Sequence, residues 1–200
     1  MTYYCKLLCI VLFVILLGGG KSQAQSKEVV VYRDYTRQEA ALLDSLKREG
    51  VMSLFKGINE LKKQVLGVKE STPVNVKPRR EERRKMAPEE IIKRRRESVL
   101  TVNKYLRAMA GPEMVTGWAT AVVLSEDGIC VTNYHVFWEL LDAKVKLNPR
   151  DSIMFVATES GRVYPITEVL SFNRAADMAF FKIDTRDDVL VPMPLGRDLP

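Results

Sequence analysis

Residues Asp127 to Leu141 read DGICVTNYHVFWELL and hold His135, the single histidine among the 200 residues. An acidic-Gly turn opens the stretch, and the apolar run Ile129 to Val131 follows as a strand. FWELLDA then reads as a short helix. His135 therefore stands at the end of a strand, just before a helix. Such a position holds the backbone and leaves one ring face open, which suits a general base. A base also needs a partner that fixes its tautomer, usually a carboxylate on the other ring nitrogen. A lone histidine is more often structural, so the surrounding chain has to decide.

From Ser98 onward the texture is that of strands. SVLTV, WATAVVLS, GICVTN, SIMFVA, RVYPITEVLSF and MAFFKI are short runs rich in β-branched and aromatic residues. Turn signals separate them at Glu126-Asp127-Gly128, Asn148-Pro149, Glu159-Ser160-Gly161 and Asn173-Arg174. Several short strands with hairpin-sized gaps predict a mainly β domain, a barrel or sandwich rather than βαβ units.

Forty-two residues after His135, Asp177 opens DMAFFKID, directly ahead of the apolar run Met178 to Ile183. An aspartate at the mouth of an apolar strand is costly to bury unless something pairs with it. A strand-end histidine is one such partner. Asp184, Asp187 and Asp188 fall in the next polar turn and read as solvated. The plainer alternative is a surface histidine and a strand-terminal aspartate that never meet.

The N-terminus has a different character. Leu7 to Leu17 is an unbroken apolar run of eleven residues after Lys6, too short for the ~20 residues of a spanning helix. It fits the h-region of a secretory signal peptide covering residues 1–24, with Ser22-Gln23-Ala24 as the small-x-small pattern before a cut. An uncleaved anchor is the alternative. The reading is an exported protein, periplasmic or extracellular. Cys5 and Cys9 leave with the signal, and Cys130 alone cannot form an internal disulfide. In GICVT it reads as a small buried hydrophobe rather than a reactive thiol.

Residues 25–67 read as a helical accessory segment. Thr36-Arg37-Gln38-Glu39 is a capping box, Ala40, Leu43 and Leu46 follow at helical spacing, and Gly50 can close the helix. Met52, Phe55, Ile58, Leu61 and Val65 predict a second helix ended by Gly67. Residues 68–97 form a basic Pro/charged linker and a short helix opened by Pro88. Lys77 to Glu97 holds ten Lys/Arg against five Glu, a balance of +5 out of the chain's net +6. Outside a cell such a run suits an anionic membrane or envelope surface, through Lys77 to Arg96, better than nucleic acid; a solvated linker is the plainer reading.

TAVVLSEDGICVTNYHVF resembles the strand-turn-strand-His segment of trypsin-like serine peptidases, and most closely the bacterial HtrA/Deg-type branch. ADMAFFKID is similar to that family's Asp-Leu-Ala-Val-Leu-Lys-Ile segment, and MPLGRD to its Pro-Leu-Gly-x-Ser/Asp stretch. The order His before Asp is also that of the trypsin-like arrangement. The resemblance covers residues 98–200 and implies the first β-barrel of a double-barrel fold, with His135 as general base and Asp177 as the carboxylate that orients it. It implies polypeptide substrates and no cofactor; the lack of a His/Cys/carboxylate cluster separately argues against a zinc site. One departure is Ala119-Thr120-Ala121, where the family has Gly-Ser/Thr-Gly.

The larger departure is the nucleophile. The family's Gly-x-Ser-Gly-Gly stretch, which supplies the serine and oxyanion donors, does not occur in these 200 residues. Ser160 in Glu159-Ser160-Gly161 is the nearest imitation, and a hairpin turn explains it better; Ser125 in LSEDG is no stronger. The expectation is an exported serine endopeptidase acting on unfolded or envelope proteins, represented here by the front of its peptidase domain and inactive in this form. The alternative is a non-catalytic, protease-like module that binds peptides or partner proteins of the cell envelope.

Overall fold

The computed structural model describes residues 34–48, 50–77, 79, 84–109 and 111–196. The apolar leader and its cleavage pattern lie outside the described residues. Each of the six apolar runs becomes one strand: β1 (Val99–Leu106), β2 (Met114–Val123), β3 (Ile129–Thr132), β4 (Asp151–Ala157), β5 (Val163–Asn173) and β6 (Met178–Ile183). They pair antiparallel in the order β1-β2-β3-β6-β5-β4 and close into a barrel. Closure leaves no free edge to the sheet as a whole, the usual hazard of exposed strands.

Two apolar clusters stabilise this wall, one on each face. Inside lie Leu100, Val102, Val123, Cys130, Met154, Val156, Tyr164 and Phe181. Outside, Tyr105, Val115, Ile153, Phe155 and Ala157 meet an N-terminal helix, α1 (Tyr35–Leu46), through Leu42 and Leu46. Ile153 to Ala157 is therefore buried without alternation, as expected of a strand covered on both faces.

The same division explains why the second predicted helix is broken. A 3-10 turn, Met52–Leu54, leads to Phe55 in extended backbone, and α2 (Ile58–Val65) begins only after Gly57. Phe55 turns to the outer cluster, edge-on to Phe155 at 5.9 Å between centroids. Ile58, Leu61 and Val65 turn to the inner one. One continuous helix face cannot serve both cores.

The cap of α1 also differs from expectation. Asp34 is the N-cap, its carboxylate accepting from the Arg37 N–H at 3.0 Å, and Thr36 lies inside the helix. Aspartate is a strong cap and its charge suits a helix N-terminus. Glu39 is unavailable to complete a box because its Oε1 accepts from the Gly117 N–H at 2.8 Å.

Helix α2 is pinned to the barrel by polar contacts as well as by its apolar face. The Gln64 side-chain amide exchanges two hydrogen bonds with Val169 of β5, donating to its carbonyl at 3.0 Å and accepting from its N–H at 2.9 Å. It stands in for a strand partner where the β5–β6 register shifts between Val169 and Ser171. Helix α3 (Pro88–Arg95) follows its reading, with Glu89 and Glu90 in the first turn and Lys93 to Arg95 in the last. Among the described residues no helix is long and apolar enough to cross a membrane.

Candidate active site

Strand β3 lies between β2 and β6, and its register with β6 sets the site. Thr132 faces Ala179, so the chain leaving β3 and the chain entering β6 emerge side by side. His135 is not the end of the strand as expected. β3 stops at Thr132, and His135 is the middle of a 3-10 turn, Tyr134–Val136, that leads into α4 (Trp138–Leu141). Neighbouring side chains anchor the turn: Tyr134 packs on Phe172 at 5.6 Å, and Phe137 packs edge-on to Phe181 at 5.4 Å between centroids. Val136 and Phe137 are buried, and His135 is left outside with its side chain 68 % exposed.

Asp177 closes the turn Arg174–Asp177 between β5 and β6, at φ +48°. Aspartate tolerates that left-handed conformation better than most L residues. The Asn173 side chain accepts from the Ala176 N–H at 2.8 Å and tightens the same turn. The half-buried Asp177 carboxylate then spans the gap to the His135 turn. Its Oδ1 accepts from the His135 backbone N–H at 3.0 Å, and its Oδ2 lies 2.9 Å from His135 Nδ1. Asn133 donates its amide to Asp177 Oδ2 at 3.1 Å and to the Asp177 carbonyl at 3.2 Å. The structure thus brings His135 and Asp177 together.

The His135 backbone N–H is the main cause that holds the Asp177 carboxyl below its ordinary range; the His135 ring and the Asn133 amide act in the same direction. Partial desolvation opposes them and loses. An ionised Asp177 favours the neutral imidazole tautomer with hydrogen on Nδ1. The lone pair is then on Nε2, on the open side, where a base accepts a proton.

Neither candidate serine approaches this centre. Ser160 engages Thr158 Oγ1 at 2.8 Å and Glu97 Oε2 at 3.1 Å in the β4–β5 turn. Ser125 is buried, its hydroxyl accepting from the Ile129 N–H at 3.0 Å. Burial pushes the Cys130 thiol up to about 12, which suits a core side chain and not a nucleophile. Among the described residues no three of His, Cys, Asp and Glu converge to hold a metal ion. The basic run is partly neutralised where it is described: Arg84 and Arg94 both pair with Glu90, and Arg96 approaches Glu159.

Three contributors near His135 were missed in the sequence. Asn133, two residues before His135, could have been found from its small polar side chain at the strand end. Trp118 is the extra residue of a bulge in β2, since Val102 faces Ala119 while Asn103 faces Gly117; bulges re-aim side chains in this way. The indole Nε1 donates to the Val136 carbonyl at 3.3 Å. Beneath the indole lies Lys104, whose polar character hides that it is buried. In the nearby Ala119-Thr120-Ala121 stretch, Ala121 adds its methyl to the inner core and the Thr120 carbonyl accepts from Thr132 Oγ1 at 2.7 Å. No protein-family model matches this chain, and no curated protein matches it either.

Proposed function

We propose that these residues are the first barrel of an exported trypsin-like serine endopeptidase acting on unfolded or envelope polypeptides. His135 is the general base and Asp177 the carboxylate that orients it. The observation that carries the reading is the Nδ1–carboxylate contact of 2.9 Å on an imidazole whose other edge faces outward. Asp177 fixes the ring twice, through the His135 main chain and through Nδ1. The base is thereby oriented before any substrate arrives.

In this reading His135 takes the proton of a serine hydroxyl at Nε2 and returns it to the leaving amine. Asp177 stabilises the imidazolium formed in between. The serine and the oxyanion donors belong to a second barrel, which the 200 residues do not include. The test is turnover of a denatured protein substrate by the complete natural protein. Asp177→Asn is expected to lower turnover by about 10⁴-fold with the fold intact, and His135→Ala to abolish it. Unchanged turnover in Asp177→Asn would remove Asp177 from the mechanism. A complete protein without a Gly-x-Ser-Gly-Gly stretch would leave peptide or partner binding as the function of the barrel.

A further inference from the structure

We propose that Lys104 and Trp118 form a brace that seats the His135 turn, so that both are positioning residues for the pair; this rests on reading His135 and Asp177 as a catalytic unit. Lys104 shares the inward parity of β1 with Leu100 and Val102, and its side chain is only 6 % exposed. Its ammonium lies 2.9 Å from Glu139 Oε2, 3.2 Å from Asp151 Oδ2 and 3.8 Å from the centroid of the Trp118 ring. Glu139 belongs to α4, four residues after His135. The Trp118 indole, resting on that ammonium, donates to the carbonyl of Val136, the residue next to His135. Both arms of the brace therefore end on the segment that carries the base.

A buried ammonium with two carboxylates is a poor way to gain stability, because apolar side chains of similar volume do as well or better. Directional contacts do what apolar ones cannot: they fix where a segment sits. Lys62 of α2 holds the same segment from another side, donating to the carbonyls of Glu139, Asp142 and Val145. With α4 and Val136 both tethered, His135 has its backbone N–H presented to Asp177. Without those tethers the turn would keep its apolar anchors, Tyr134 and Phe137, and lose the directional contacts behind an exposed pair, at 68 % and 42 % side-chain exposure.

The single histidine makes the idea directly measurable. In the 200-residue chain labelled with nitrogen-15 histidine, the imidazole spectrum reports His135 alone, and the share of its neutral ring that carries hydrogen on Nδ1 reports the contact with Asp177. Asp177→Asn is the reference: the carboxylate that accepts from Nδ1–H is replaced by an amide that can donate to Nδ1. The Nδ1–H share should fall relative to the Nε2–H share by about tenfold or more, the range of a hydrogen bond to a charged group. Trp118→Phe keeps a ring over Lys104 and deletes the N–H aimed at Val136. It is expected to lower the Nδ1–H share in the same direction, by about two- to tenfold, the range of one neutral hydrogen bond. Lys104→Met should lower the Nδ1–H share as well, and the two changes together should fall short of their sum, as for groups acting through one contact network.

A Trp118→Phe chain with a native unfolding transition and an unchanged His135 tautomer ratio would overturn the brace. That result decides the matter alone where Lys104→Met does not fold. An unchanged tautomer ratio in Asp177→Asn would overturn the pair and the brace together. No turnover by the complete protein, with the tautomer ratio moving as expected, would retire the peptidase reading and still support the brace.

Discussion

Replacing Gly128 with alanine tests how closely the β2–β3 turn is locked onto β6. Gly128 has φ +94°, and a Cβ there would stand 2.8 Å from the Ile183 carbonyl oxygen, 2.9 Å from Thr185 Cγ2 and 3.0 Å from Ile183 Cγ1. The turn cannot simply back away, because the Ile183 N–H donates to the Gly128 carbonyl at 3.0 Å and the Ile183 side chain is in the inner core. The strained backbone costs an L residue about 1–3 kcal/mol, and the overlap adds about 1–3 kcal/mol more. Gly161 provides the control, since its φ is +85° and nothing lies within 4 Å of its virtual Cβ. Gly161→Ala thus carries only the backbone cost. Urea unfolding of the three chains, compared at a common m-value, should show Gly128→Ala less stable than Gly161→Ala by at least about 1 kcal/mol. Equal losses would refute the contact argument. A loss near zero in both would refute the conformational one.

Two further groups, one buried and one paired, give testable outcomes. Cys130 should resist iodoacetamide at pH 8 in the folded chain and react in urea, read by peptide mass mapping so that Cys5 and Cys9 are counted apart; modification at equal rates in both states would contradict its burial. Because its folded pKa is raised to about 12, its contribution is complete below the ordinary thiol value, and stability declines as pH rises beyond it. Asp177 has the opposite sign: its pKa is lowered, so its contribution is present above the ordinary carboxylate range and lost as pH falls through the folded value. The acid limb of the stability profile should therefore be shallower in Asp177→Asn than in the parent, and identical limbs would show that the pairing does not stabilise the fold.

The barrel was legible because each strand is a short apolar run bounded by a turn residue, and a wall covered on both sides tolerates runs that do not alternate. Asp177 was legible for a related reason: an aspartate at the threshold of MAFFKI needs a partner. Its left-handed backbone was not, since nothing local distinguishes it from the aspartates of the following turn. The helical segment misled where periodicity was read as continuity. Phe55 and Ile58 keep helical spacing yet serve opposite faces of the barrel wall. Lys104 was hidden most completely, because in one dimension a lysine reads as surface and its carboxylate partners are 35 and 47 residues away.

The Gln64–Val169 amide exchange has a consequence for the order in which the molecule can be completed. Helix α2 is translated long before the strands it rests on, and Val169 follows Gln64 by 105 residues. At ~5–20 residues per second of synthesis, α2 spends roughly 5–20 s without the strand that receives it. During that interval Ile58, Leu61 and Val65 lack the part of the inner core that β5 and β6 supply, Val169, Phe172, Ala179, Phe181 and Ile183. The first-made part of the inner core is thus among the last to be fully covered, and a nascent chain that has not yet reached β5 leaves that side of it open.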